Sequence, residues 1–451
     1  MLSTFHDATL RGVAKAAERR LAYTARMRLS ASSLALLACG AASAAAAAPG
    51  AVFDVRAYGA VGDGAHDDTG AVRAAFAAAA SNGPSTVLFP AGYVFLTGAF
   101  NLSADLVVEV RGAVKAWPGS DGGHYWLESE VPWFGPASLL VWASFIHSEH
   151  ASNITLRGGG TVDGNGAAWW ACGCKGNPPP PAPPTNQSAP CSGFTRPKLV
   201  HLLYGRGLVI RDLTFMDSPM WNLRPSHFDD VYISNVTVLA PNGVACNSDG
   251  IDPDGVQNAL IEDSYISVGD DAIAIKSGFN WYGRAFGRPS SNITFRRMRI
   301  GTGHGISIGS EMSANVTDVL FEDFVLDGTQ TGPRIKSERG RGGVVANVTF
   351  RNITMAHVGS AFQVTEYYID PPPPTNASAT PRFYNITLEG LTYTTKPTAG
   401  AYFNGLPESI IEGVTMRNVD LGGTKEASCA YTTGACEGTV LPACPSCLAP
   451  A

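Results

Sequence analysis

A short pattern recurs along this chain, and it limits the possible folds more than any other feature. The unit opens on Asn, Asp or Gly, continues as an alternating apolar run and often closes on Asn, Asp or Gly. It reads NITLRGG from Asn153, GLVIRDL from Gly207, DVYISNV from Asp230, NALIEDS from Asn258, NITFRRM from Asn292, DVLFEDF from Asp318, NVTFRNI from Asn347, NITLEGL from Asn385 and GVTMRNV from Gly413. From residue 207 onward the units are 23, 28, 34, 26, 29, 38 and 28 residues apart. Repetition on this scale indicates a solenoid or array. The units are β-branched and alternate with period two, no helical periodicity separates them, and the dense Leu skeleton of a leucine-rich repeat is missing. A single right-handed parallel β-helix fits best. In this all-β solenoid each coil lays its strands beside those of the coil before and stacks apolar residues into one core. The recurrent Asn then suits a left-handed turn repeated on every coil.

Solenoids need their open ends covered. Residues 66–80 (HDDTGAVRAAFAAAA) are the clearest helical stretch, with Asp67, Asp68 and Thr69 as N-cap chemistry, and are expected to form a short N-terminal capping helix. Ahead of it, residues 1–48 read as a secretory signal with an upstream extension. They hold six basic and two acidic side chains, then an uncharged stretch, Leu34–Ala48, ending in small residues, with Met27 as an alternative start. An organelle transit peptide is the competing reading. The apolar run is too short and too Ala-rich for a membrane span. The β-helix is expected over 49–424 and a Cys-rich tail over 425–451, closing or extending the far end. NPPPPAPP (177–184) and Pro371–Pro374 read as loops.

Cysteine usage agrees with secretion. Eight of nine cysteines follow the signal: Cys172, Cys174, Cys191, Cys246, Cys429, Cys436, Cys444 and Cys447. An even number clustered around a loop and a tail favours disulfides in an oxidising compartment over a zinc site built from the last four. The pairing stays open. Sequons at Asn101, Asn153, Asn186, Asn235, Asn292 and Asn376 fit an extracellular or cell-wall glycoprotein. The formal charge is −6; without residues 1–48 there remain 26 basic against 36 acidic side chains, a net of −10. That balance argues against nucleic acid as a partner, and no other segment is long and apolar enough to span a bilayer.

The chemistry-bearing residues sit about one coil apart. CNSDGIDPDG (246–255) carries Asp249, Asp252 and Asp254. Asp270 and Asp271 follow in SVGDDAIAIKSG, His304 in GTGHGISIGSE, and Arg334 and Lys336 in PRIKSERGRG. One coil later in a parallel β-helix is one strand across, roughly 4.7–4.9 Å, so these groups are expected to converge on one face. Glycosidic cleavage needs such a set, with one carboxyl to protonate the leaving oxygen and another to act on water or on the sugar. Crowding keeps one carboxyl protonated, and His304 is placed to tune that state or orient a carboxylate. Arg334 and Lys336 alternate past Ile335 and point the same way. On an acidic chain a local basic pair supplies the attraction for an anionic substrate. Taken singly, each group reads more blandly: an Asp-Gly turn, a calcium site, a solvated face. The ordered set reverses that.

In order, NSDGID, GDDAIAIKSG, GHGISIGS and RIK resemble the four signature motifs of glycoside hydrolase family 28, the polygalacturonases. VFDVRAYGAVGDGAHDDTGAVRAAF (52–76) and GTVDGNGAAWW (160–170) resemble that family's earlier segments. The resemblance implies a parallel β-helix that hydrolyses α-1,4 bonds between galacturonates in pectin, with inversion and without cofactor or metal. It assigns Asp270 as general acid, Asp249 and Asp271 as the pair activating water, and His304 as their support. Arg334 and Lys336 become galacturonate-carboxylate binders, and Asn247 and Asp252 line the site. Departures are modest: Ser248 stands where Thr is frequent, Thr302 where Pro is, and Ala272 where many endo-acting members have Cys. GDDAIAIKSG resembles a branch that includes exo-acting enzymes, and the loop 172–196 is a candidate wall for one end of a cleft; both favour exo action. Tyr367 and Tyr368 are candidates for a sugar platform on the next coil or for a buried aromatic stack. The expected partner is an anionic polysaccharide, and the expected state is monomeric. A rhamnogalacturonan or xylogalacturonan hydrolase, a calcium-dependent pectate lyase and a non-catalytic wall-binding protein are the competing functions.

Overall fold

The computed structural model describes residues 50–119, 122–174, 194–369, 379–422 and 427–450. The signal segment, most of the loop 172–196 and the Pro371–Pro374 run lie outside the described residues.

The repeat does what its alternation predicts. The long strands Val200–Met216 and Leu223–Leu239 pair in parallel, residue for residue. Later coils keep this register: Ile233 pairs with Ile261, which pairs with Phe295, then Phe321, Phe350, Leu388 and Met416. All are buried. These are the fourth residues of the repeat units, so one position per coil becomes one row of the core. Within that row Phe295, Phe321 and Phe350 stack with ring centroids 5.4 and 4.7 Å apart. One apolar cluster runs from Val55 to Leu448.

The turn residue behaves as expected. The opening residue of all nine units has positive φ, from 54° at Asn292 to 73° at Gly207. Asn and Asp accept that conformation with little penalty because their short side chains bond locally. The side chains also bond from coil to coil: Asn292 Nδ2 donates to Asn258 Oδ1 (2.8 Å), Asn258 to Asp230 (3.2 Å) and Asn347 to Asp318 (2.8 Å). The sequons at Asn153, Asn235 and Asn292 therefore coincide with ladder positions, whose amide nitrogens are already donors.

A second parallel sheet is formed by Ile273–Ile275, Ile306–Gly309, Pro333–Lys336, Gln363–Thr365, Tyr402–Asn404 and Ser428–Ala430. Bridges Leu223↔Ile251↔Ile273 and Ser226↔Asp254↔Lys276 extend it towards the N-terminus. A small antiparallel hairpin, Leu127–Ser129 with Leu140–Trp142, stands apart from these parallel sheets.

The helix Thr69–Ala80 buries Val72, Ala75, Phe76 and Ala79 against the first strands, with Phe76 stacked on Phe100 at 4.6 Å. Its entry differs in detail from expectation. Asp67 accepts from the Thr69 backbone (3.0 Å), whereas Asp68 accepts from Val61 and Gly62 N–H and so ties down the preceding loop. Two shorter helices, Ala167–Gly173 and Asn280–Phe286, stand outside the repeat. The tail continues the ladder through Ser428–Ala430, Thr432–Leu441 and Ala449–Pro450. Its four cysteines form two disulfides, Cys429–Cys447 and Cys436–Cys444, in place of a zinc site, and Cys174 pairs with Cys246. Among the described residues no helix is long and apolar enough to cross a membrane.

Candidate active site

The second sheet brings the motif residues together. Asp249, Asp271 and His304 each stand two residues before a paired position, Ile251, Ile273 and Ile306, and so occupy one row across three strands. Ser307 pairs with Arg334 and Gly309 with Lys336, which sets the basic pair on the next strand.

The contacts are tight. His304 Nδ1 is 2.8 Å from Asp270 Oδ1. Asp270 also accepts from the backbone N–H groups of Asp271 (2.8 Å) and Asn247 (3.2 Å). Asp271 is buried, and its oxygens accept from Lys336 Nζ (2.5 Å) and Ser307 Oγ (2.9 Å), with Arg334 Nη1 at 3.6 Å. Asn247 Oδ1 accepts from Arg196 Nη2 (2.9 Å), whose guanidinium also bonds the carbonyls of Pro219 and Cys246.

Sequence reasoning missed Lys276 as a hub. Its Nζ lies 3.5 Å from Asp249, 3.8 Å from Asp252 and 3.1 Å from Glu311. The signal was present, since Lys276 closes the GDDAIAIK run and alternates past Ile275 as Lys336 does past Ile335. Glu311, Ser307 and Arg196 carry no comparable signal. Asp254, the third carboxylate of CNSDGIDPDG, faces elsewhere. It holds Arg224 (2.7 Å), Trp133 Nε1 (2.6 Å) and the Gly278 N–H (3.1 Å).

These environments separate the carboxyls. Burial, then Asp252 and Asp270, push Asp249 well above the ordinary range. Burial raises Asp252 to about 7 against the opposing Lys276 and Arg224 charges, and neither of its oxygens has a hydrogen-bond partner among the described residues. Burial would raise Asp270 too, but the His304 hydrogen bond and charge, with Lys336, bring it down to about 2. The same hydrogen bond raises His304. Burial works against Lys276 and Lys336, yet the surrounding carboxylates hold both above the usual amine value. Ligand atoms of Asp270, Asp271 and His304 lie within 4.8 Å of one another, but Lys336 and Arg334 already bring positive charge to that spot.

Tyr368 is 40% exposed, and its ring centroid lies 4.9 Å from Lys336 Nζ and 5.7 Å from Arg334 Cζ. It therefore flanks the basic pair as an open face. Tyr367 is half-buried, with its backbone N–H on Thr365 Oγ1. On the opposite side the segment around Trp133 and Phe134 covers the preceding strands. Trp133 and Arg224 are each 1% exposed there, and Phe134 packs on Trp221 and Phe279.

Residues 81–440 match the family described as glycosyl hydrolases family 28. A polygalacturonase of Persea americana is 32% identical, the match covering 81% of this chain and 73% of that one. A polygalacturonase of Chamaecyparis obtusa is 31% identical, covering 87% and 72%. Among solved structures, an exopolygalacturonase from Thermotoga maritima superposes with a TM-score of 0.73 at 23% identity, covering 87% of this chain and 89% of that one. A family 28 exopolygalacturonase from Yersinia enterocolitica gives 0.71 at 21% identity, covering 90% and 78%. The shared fold is that of a parallel β-helix, the match extends over most of the solenoid, and the chain belongs to glycosyl hydrolases family 28.

Proposed function

We propose that this chain hydrolyses α-1,4-galacturonosidic bonds of pectic polysaccharide, with inversion, as a secreted monomer that uses no metal or cofactor. The observation that carries the reading is the meeting of Asp249, Asp270 and Asp271 on adjacent strands, with Arg334 and Lys336 two strands further on, beyond the strand of His304. Three carboxyls beside a basic pair suit acid–base cleavage of a sugar that is itself anionic. Polygalacturonase relatives at 30–32% identity support the substrate class. The three disulfides support an oxidising compartment.

In this reading Asp270 protonates the leaving oxygen, while Asp249 and Asp271 activate water. His304, 2.8 Å away and with its titration raised by that contact, is placed to hold the proton that Asp270 delivers. Lys336 is one of the charges holding Asp270 low. A uronate carboxylate that pairs with Lys336 cancels that field and lets the proton pass to Asp270. Arg334, Lys336 and the Tyr368 face hold the sugar, while Asn247 and Asp252 line its bed. Exo action is favoured because Trp133, Phe134 and Arg224 close one side of the sheet, whereas Tyr368 leaves the other open.

The raised Asp249 and lowered Asp270 favour a second reading in which these two exchange roles. A galacturonide with an activated aryl leaving group needs no acid, so the variant at the true acid regains activity on it. Under the first reading Asp270→Asn recovers and Asp249→Asn does not.

Product analysis on polygalacturonate tests the function as a whole. Monomer alone in early digests is the expected result, and mixed oligomers would show endo action. Unsaturated ends abolished by chelator would replace hydrolysis with a lyase reaction. Failure on polygalacturonate with cleavage of rhamnogalacturonan or xylogalacturonan would move the substrate within the family.

A further inference from the structure

Lys198 is a buried cation without an anion. It is 3% exposed, and no hydrogen bond or ion pair joins its Nζ to any described residue; the nitrogen lies 5.7 Å from the centroid of the Trp221 ring. The charged groups around it are Glu128 and Glu130 from the covering hairpin, Arg224 and Asp254. The two glutamates act from beyond ion-pairing distance, Arg224 is a like charge, and Asp254 is taken by Arg224. Burial lowers the titration of Lys198 from the ordinary amine value. A desolvated ammonium with no partner is costly, and the cost falls when an anion arrives.

Its position says which anion. Val200, Leu223, Ile251 and Ile273 are in register on successive strands. Lys198, Trp221, Asp249 and Asp271 each stand two residues before them, so all four share one row. Lys198 is therefore two strands from Asp249, about 9–10 Å. On the other side, Ile273, Ile306 and Pro333 are in register, so Arg334 and Lys336 stand two strands beyond that of Asp271. Cations thus bracket the carboxyl group on both sides. Trp221 also faces Arg224 and Lys276, each 4.6 Å from its ring. Those two have carboxylate partners of their own; Lys198 does not.

A polyuronide carries a carboxylate on every sugar, so one lying across these strands presents a second carboxylate on the side away from Arg334 and Lys336. We propose that Lys198, with the Trp221 face beside it, binds that second carboxylate and forms the uronate subsite across the scissile bond from Arg334 and Lys336. This rests on the polygalacturonate reading of the site.

The test is calorimetric binding to the Asp270→Asn protein, with a galacturonate trimer and with the same trimer fully methyl-esterified. Adding Lys198→Met is expected to raise Kd for the acid trimer about tenfold, the loss of one charge-assisted contact, and to leave Kd for the ester unchanged. An unchanged Kd for the acid trimer would overturn the subsite alone. Equal weakening for both trimers would show that Lys198 acts only through packing, and would also overturn it. If the Asp270→Asn protein bound neither trimer, the substrate reading would fall and the subsite with it. Should Lys198→Met not fold, NMR titration of the Lys198 side chain in the Asp270→Asn protein serves instead. The acid trimer is expected to raise its titration and the ester is not; no change with the acid trimer would overturn the proposal.

Discussion

His304 Nδ1 lies 2.8 Å from Asp270 Oδ1, and the contact moves both groups towards their charged forms. The carboxyl falls to about 2 from 3.8, and the imidazole rises from 6.5. A lowered carboxyl stabilises the fold above its unfolded value and loses that contribution as pH falls through its folded value. A raised imidazole does so below its unfolded value and loses it as pH rises through its folded value. The pair therefore contributes most between 3.8 and 6.5. Thermal melts of wild type and His304→Ala should differ most inside that window and converge towards pH 2 and above neutrality. A gap that does not depend on pH would contradict the pairing.

Asp270→Asn should lower kcat by at least about 10²–10⁴, the usual contribution of a positioned acid, while the melting transition stays cooperative. The carboxyl is held at the rim of the row by His304 and two N–H groups, and an amide can keep part of that network. Steady-state kinetics with a parallel melt checks this; near-normal turnover would remove Asp270 from the mechanism.

Lys336→Ala should raise KM and also destabilise the protein. The amine is buried against Asp271, so its loss leaves that buried carboxylate with only the Ser307 hydrogen bond and the more distant Arg334 charge, in addition to removing the proposed substrate contact. Breaking such a pair costs about 3–5 kcal/mol. Denaturant unfolding separates the two effects, because Arg334→Ala should raise KM with a smaller loss of stability: its guanidinium stands farther from Asp271, at 3.6 Å.

Asp254→Ala should be among the most destabilising changes at this sheet although Asp254 does not join the row of Asp249, Asp271 and His304. Arg224 and Asp254 are both fully buried and 2.7 Å apart, and Trp133 Nε1 depends on the same oxygen. Leaving Arg224 unpaired costs about 3–5 kcal/mol. A shift in the denaturation midpoint at constant slope would register it, and a change below about 1 kcal/mol would contradict the arrangement.

Cys174→Ser should lower stability by up to about 4 kcal/mol, because the Cys174–Cys246 bridge closes a separation of 72 residues. It should also raise KM, since Cys246 is the neighbour of Asn247 and its carbonyl accepts from Arg196. A melt and a kinetic run with the variant test both parts.

The solenoid was legible in the sequence because its determinants are local. Period-two alternation decides which side chains point inward, and Phe295, Phe321 and Phe350 stack because the same position recurs in each unit. The opening Asn, Asp or Gly of each unit specifies a positive-φ turn using a single residue's chemistry. Coil spacing was enough to bring Asp249, Asp270, Asp271, His304, Arg334 and Lys336 to one sheet, because one coil is one strand. What spacing left open was which charge each group meets. Lys276 joins residues up to 35 positions away, and Trp133 reaches Asp254 across 121 positions. Those meetings depend on insertions that the repeat does not encode. Asp254 looked like a catalytic neighbour in CNSDGIDPDG and instead anchors the covering wall. Local patterning in the chain specifies the coil, its turns and the list of candidate reacting groups. How burial and charge bias each carboxyl, and where Trp133 and Phe134 cover the sheet, follow from the tertiary arrangement, since burial and through-space charge, unlike alternation, belong to no single stretch of chain.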